Sequence, residues 1–147
     1  ALDAKKLACY VCDFPSPHVN GHPHVIALPH LGASTREAED NCAAMVADQV
    51  RDYLEDGNVQ NAVNFPSITM PRESNFRIAI ANANVPNMVG QISTAMAKAN
   101  LNIHNMMNKS RGDMAYTLVD VDSAVPPAAI DSIAGIEGVL VVRYLPA

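Results

Sequence analysis

The chain has 147 residues, a formal charge of −5, 49 % apolar residues and 17 % charged ones. That balance fits a folded globular chain rather than a disordered one, and the length allows one domain or parts of two. No apolar run approaches the roughly 20 residues of a membrane helix. No signal peptide opens the chain, and a negative charge with so few basic clusters argues against nucleic acid.

In chain order, Ala1 to Lys6 reads as the tail of a helix and Leu7 to Phe14 as an apolar strand ending at Pro15. Cys9 and Cys12 form a Cys-x-x-Cys, but strand residues three apart point to opposite faces and no helix opens there. Neither a redox pair nor a zinc site is expected from them. With Cys42 the thiol count is odd, which fits a reducing, cytoplasmic compartment. Residues 16–24 are turn formers and read as a loop. Its histidines, His18, His22 and His24, together with His30, lack finger or helical spacing, and Pro23 separates two of them. No metal is expected there. Val25 to Leu28 reads as a short buried strand.

A long helix is predicted after Ser34 or Thr35, either of which can cap it. Glu37, Glu39 and Asp40 complement the positive end of its dipole, Ala38, Cys42, Met45, Val46, Val50 and Tyr53 recur at near-helical spacing, and Gly57 stops it. Asn58 to Asn75, with Pro66 and Pro71, is predicted to be an irregular interdomain connector.

The second half alternates between two periods. Phe76 to Ala81 is a strand; Pro86 opens a helix with Met88, Val89, Ile92, Met96 and Ala99 on one face. Leu101 to Met107 and Met114 to Val121 are strands joined by a turn around Gly112. Pro126-Pro127 opens a second helix with Ala129, Ile130 and Ile133 inward, and Val139 to Leu145 is the last strand. The order βαββαβ in about 70 residues predicts a ferredoxin-like α/β (α+β) arrangement. An apolar strand such as 139–142 is poorly tolerated as a bare edge, so a partner chain covering a sheet edge is expected.

The heptapeptide Pro29-His30-Leu31-Gly32-Ala33-Ser34-Thr35 resembles the active-site signature of the D-isomer-specific 2-hydroxyacid dehydrogenases. Its continuation through Glu39-Asp40-Asn41-Cys42 to Asn64-Phe65-Pro66 is similar to the D-3-phosphoglycerate dehydrogenases among them, and the βαββαβ half resembles an ACT domain. The resemblance implies that residues 1–35 end an NAD-binding domain, that 36–60 return to a substrate-binding domain, that 61–75 link, and that 76–147 form an ACT regulatory domain. It implies oxidation of 3-phosphoglycerate to 3-phosphohydroxypyruvate in L-serine biosynthesis. His30 would be the general acid/base, and Asp13, His30, Leu31, Gly32 and Ala33 would lie against the nicotinamide of NAD. The family's orienting carboxylate falls at His18, so the usual His–carboxylate pair departs from the pattern.

No Gly-x-Gly-x-x-Gly occurs in the chain, so these residues alone are expected to be inactive, as a piece of a larger enzyme. In the ACT half the resemblance implies an interface site for L-serine or another amino acid at Asn82, Asn84 and Asn102, with Asn87 in place of the usual glycine. It also implies self-association through the sheet edges, as a dimer of this region and a tetramer of the parent. The alternative reading is a stand-alone amino-acid-binding or dimerisation module without catalysis. Asn84 is equally readable as a helix cap, and Asn102 as a turn residue.

Overall fold

The computed structural model describes residues 1–146; the expected 76–147 domain ends on Ala147, outside the described residues. The chain divides into two compact units, Ala1–Val46 and Ala47–Ala147.

In the first unit, β1 (Tyr10–Cys12) pairs in parallel with β2 (Val25–Ala27). Both strands are shorter than expected, because a parallel ladder of three register pairs is all that the flanking turns leave. Cys9 lies outside β1, and the opening residues form a turn instead of a helix end, with Lys5 N–H donating to Leu2 O at 2.9 Å. Val25 to Leu28 was expected to be buried, yet Ile26 and Leu28 are exposed. A two-stranded sheet cannot cover its own faces.

The helix α1 (Arg36–Asp56) starts where expected: Thr35 Oγ1 accepts the Ala38 N–H at 3.2 Å, satisfying one of the free first-turn donors. Gly57 ends it at φ 73, its N–H returning to Tyr53 O at 3.1 Å. No residue of α1 is buried, so its apolar positions, Met45, Val46 and Val50 among them, face outward.

The second unit carries β3 (Phe76–Ala83), α2 (Met88–Lys98), β4 (Ile103–Arg111), β5 (Met114–Val121), α3 (Pro127–Ala134) and β6 (Val139–Pro146). The sheet order is β4-β5-β3-β6, antiparallel throughout. That is the ferredoxin-like topology expected from the element order. Strand alternation sends Ile78, Ile80, Val119 and Val121 to one face, where Ile92, Met96, Ala129 and Ile133 of the helices meet them. Two helix positions differ from expectation. Ala95 is buried where Val89 was expected, because the inward stripe runs Met88, Ile92, Ala95, Met96; Ile130 is only half-buried.

The opposite face holds Ala79, Tyr116, Leu118 and Leu145, covered by Ile68 and Met70 of the connector. The connector is irregular apart from one bridge, Val59 to Ile68, but it is packed down. Arg77 does much of the holding. It is fully buried and forms a bidentate pair with the buried Asp120, Nε to Oδ1 at 2.6 Å and Nη2 to Oδ2 at 2.9 Å. Its Nη1 donates to Asp56 O at 3.0 Å and Met70 O at 2.9 Å, and Nη2 also donates to Pro71 O at 2.9 Å. All five guanidinium N–H groups are thereby used.

Two further arginines complete the end of α1, whose last turn has no basic residue of its own. Arg143 donates to Tyr53 O and Leu54 O at 3.1 Å each and stacks on the Tyr53 ring at 4.5 Å; Arg72 donates to Glu55 O at 3.1 Å. The last four carbonyls of a helix have no partner within it. Here three arginines from beyond the helix take them all, and their charge suits its negative end.

Candidate functional site

The heptapeptide is an exposed turn between β2 and α1. Ser34 N–H donates to Leu31 O at 3.0 Å, and Leu31, Gly32 and Ala33 are all exposed. His30 adopts φ 53, a left-handed conformation that costs a non-glycine residue on the order of 1–2 kcal/mol. Backbone held this way concentrates at functional sites.

Its ring lies 4.5 Å from that of Phe14, and its Nδ1 is 3.6 Å from Asp13 Oδ2. Asp13 and His30, read separately from sequence, are thus brought together, and Asp13 is the carboxylate facing the histidine. His18 is exposed and takes no part. His22 is engaged elsewhere: its Nε2 lies 3.0 Å from Asp3 Oδ1, and this contact lowers the Asp3 pKa. A Cβ built on Gly32 would meet nothing within 4 Å, so the packing of the turn does not require glycine there.

The second group of residues gathers where β3 leaves the sheet. Asn82 is 1 % exposed, its Nδ2 donating to Ala83 O at 2.8 Å. Asn84 does not cap α2. Its Nδ2 donates to Gly112 O at 3.0 Å and its N–H to Asp113 O at 2.8 Å, which clamps the two-residue β4–β5 turn. The N-cap is Asn87, at φ 62 and without a side-chain cap bond. Asparagine tolerates the left-handed region better than most residues, which is how it stands where glycine was expected. A cavity of about 140 Å³ opens here, lined by Asn82, Asn84, Asn87, Gly90, Asn108 and Ala115.

Asn102 is not among the lining residues. It is exposed and precedes β4, so it lies at the Phe76 end of the sheet, whereas Asn82 and Asn84 lie at the Gly112 end. Within one chain the three asparagines therefore do not converge. Asn108, which lines the cavity, belongs to no motif and was not named from the sequence; the available signal was alternation, which places it on the same face as Asn82.

No family model matches the chain. The D-3-phosphoglycerate dehydrogenase of Escherichia coli K12 is 29 % identical over 99 % of the chain and 38 % of its own length. That of Haemophilus influenzae is 29 % identical over 90 % and 32 %, and D-3-phosphoglycerate dehydrogenase 1 of Saccharomyces cerevisiae 31 % over 69 % and 22 %. The chain is a relative of D-3-phosphoglycerate dehydrogenase. The E. coli match includes both units, the His30 turn as well as the βαββαβ half, and the chain spans under two fifths of that enzyme's length. Among solved structures, the ACT domain of a GTP pyrophosphokinase from Chlorobium tepidum is 19 % identical with a TM-score of 0.42, over 48 % of this chain and 95 % of its own. The regulatory subunit of aspartate kinase from Thermus thermophilus is 13 % identical with a TM-score of 0.39, over 48 % and 50 %. Among the described residues no helix is long and apolar enough to cross a membrane.

Proposed function

We propose that the chain is the C-terminal part of a cytoplasmic, NAD-dependent D-3-phosphoglycerate dehydrogenase, with a catalytic histidine turn followed by an ACT-type regulatory domain. The observation that carries this reading is the similarity to enzymes of that name over 99 % of the chain. Supporting it, the histidine of the matching heptapeptide is held left-handed and faces a carboxylate. His30 takes the proton of the substrate hydroxyl as hydride leaves the adjoining carbon, and Asp13 steadies the imidazolium that forms. NAD supplies the hydride acceptor. The exposed Leu31 and Ala33, the open Gly32 and the Asp13 carboxylate fit one edge of a nicotinamide; groups for its pyrophosphate must come from outside these residues.

The second unit would bind a small amino acid, L-serine first, at the cavity beside Asn82 and Asn84, and would self-associate. A helix start beside that cavity suits a carboxylate, and amides suit both ends of a zwitterion. The two outer strands are β4 and β6, and β6 exposes Leu140 and Val141. Antiparallel pairing of β4 with a second copy would bring the partner's Asn102 toward the Asn108–Arg111 end of the strand, completing the trio.

In the complete enzyme, His30→Gln should lower kcat by about 10²–10⁴-fold in an NADH-absorbance assay while leaving coenzyme affinity within a few-fold. Wild-type turnover by that variant would overturn the catalytic assignment.

A further inference from the structure

Rotamer preference does not fix the plane of a histidine ring, because torsion about its Cβ–Cγ bond is broad and roughly two-fold. For His30 the surroundings must do it, although its side chain is 62 % exposed. The Asp13 carboxylate lies 3.6 Å from Nδ1, an ion-pair distance beyond the length of a hydrogen bond. It attracts one edge of the ring without setting the ring's plane. Phe14 makes the second contact, with ring centroids 4.5 Å apart and planes inclined by 42°. That separation is at the close end of aromatic pairing.

The backbone brings Phe14 there. The pair Cys12 and Ala27 ends the parallel ladder, and Leu28 N–H donates to Cys12 O at 3.0 Å, so Asp13-Phe14 leaves the sheet beside Pro29-His30. Pro15 narrows the backbone choices of Phe14, and Pro29 has its own φ fixed one residue before His30. Phe14 is 76 % exposed, so burial does not account for where its ring sits. A carboxylate at one edge and a phenyl ring against one face leave the Nε2 edge of the imidazole open.

We infer that Phe14 is a positioning residue for the reaction: its ring holds the plane of the His30 imidazole, with Nδ1 toward Asp13 and Nε2 toward the substrate hydroxyl. The inference rests on reading His30 as the general acid/base. Phe14 exchanges no proton and acts only through His30. An imidazole free to turn would spend part of its time with Nε2 misdirected, and misplacing a reacting group lowers kcat more than it weakens substrate binding.

Proton NMR of the chain reads the contact directly, because the ring current of one aromatic ring displaces the signals of protons held near its face. Phe14→Leu should move the His30 ring signals and leave in place those of His22 and His24, whose rings lie 5.8 Å from each other. In the complete enzyme, Phe14→Leu should lower kcat about three- to tenfold, the worth of one aromatic pair, with KM for substrate and coenzyme within about twofold. Phe14→Tyr keeps the ring and should recover most of the loss. In a His30→Gln background, Phe14→Leu should cost little more, since the phenyl ring acts through the imidazole. Unmoved His30 signals, an unchanged kcat, or an equal loss in both backgrounds overturns the role of Phe14 and leaves the catalytic reading standing. Wild-type turnover by His30→Gln alone overturns both together.

Discussion

On one face of the four-stranded sheet, Ile78, Ile80, Val119 and Val121 meet Ile92, Met96, Ala129 and Ile133 of two helices. On the other, the sheet meets an irregular connector and the end of α1, where a smaller apolar cluster around Ile68, Met70 and Leu118 is joined by arginine-to-carbonyl hydrogen bonds. The first face is held by non-directional burial, in which residues of similar volume substitute for one another. The second adds to its smaller apolar cluster a set of directional bonds, each with one partner at one place. A connector with almost no secondary structure has many carbonyls that no ladder or helix bond takes up. Arginine, with five donors in a rigid fork, is suited to such a surface.

The contrast is broken most severely at Arg77. Arg77→Met keeps much of the volume but leaves the fully buried Asp120 carboxylate without its cation and frees the carbonyls of Asp56, Met70 and Pro71. A loss of about 3–5 kcal/mol is expected in urea unfolding, the cost of orphaning one partner of a buried pair. Amide exchange should also accelerate selectively in residues 58–71. The double variant Arg77→Met/Asp120→Leu should recover a good part of the stability, since two apolar groups remove the uncompensated charge. If the single variant costs under about 1 kcal/mol, the arginine is not what holds the connector face.

The same contrast explains what the amino-acid sequence revealed. The helix-covered face was legible because period-2 strands and period-3.6 helices leave a pattern in the residues themselves: Ile78-x-Ile80 and Met88, Ile92, Met96 are visible without coordinates. The connector face was not legible. Arg77 and Asp120 are 43 residues apart, and nothing local marks an arginine in a strand as buried. Of the candidate residues, His30 was named from the heptapeptide and Asp13 from the end of the first strand. That the two face each other was not legible, since it depends on β1 and β2 lying side by side. Asn82 and Asn84 line one cavity, whereas Asn102 lies outside it because antiparallel strands send it to the other end of the sheet.

Gly57 is the next point at which the two faces differ. It stops α1 at φ 73, and a Cβ there would come within 2.9 Å of Leu145 Cδ1, 3.1 Å of Leu118 Cδ2 and 3.2 Å of Ala79 Cβ. Gly57→Ala combines left-handed strain with overpacking against three residues of the connector face, and should cost about 2–4 kcal/mol by urea midpoint. Gly135, which closes α3 on the helix face, has φ −77 and nothing closer than 3.4 Å to a built Cβ. Gly135→Ala should therefore be nearly neutral, and equal costs at the two glycines would remove the distinction.

Tyr116 gives the smallest effect, and its sign depends on pH. Its ring packs edge-on to Phe65 on the connector face, with centroids 6.1 Å apart, and its buried hydroxyl has no hydrogen-bond partner among the described residues. Burial, and then the neighbouring Tyr53, push its pKa well above the ordinary tyrosine value. At neutral pH, Tyr116→Phe removes an unpaired polar atom and should stabilise the chain by about 1 kcal/mol. Above pH 10 the unfolded chain releases the Tyr116 proton while the folded chain retains it, so the unfolded state gains and wild-type stability falls as pH rises. The phenylalanine variant lacks that term. The gap between the two should widen by up to about 1.4 kcal/mol per pH unit above 10, read from urea midpoints at pH 8, 10 and 11. Curves that stay parallel would mean that the hydroxyl reaches solvent, and that the connector face admits water where the helix-covered face does not.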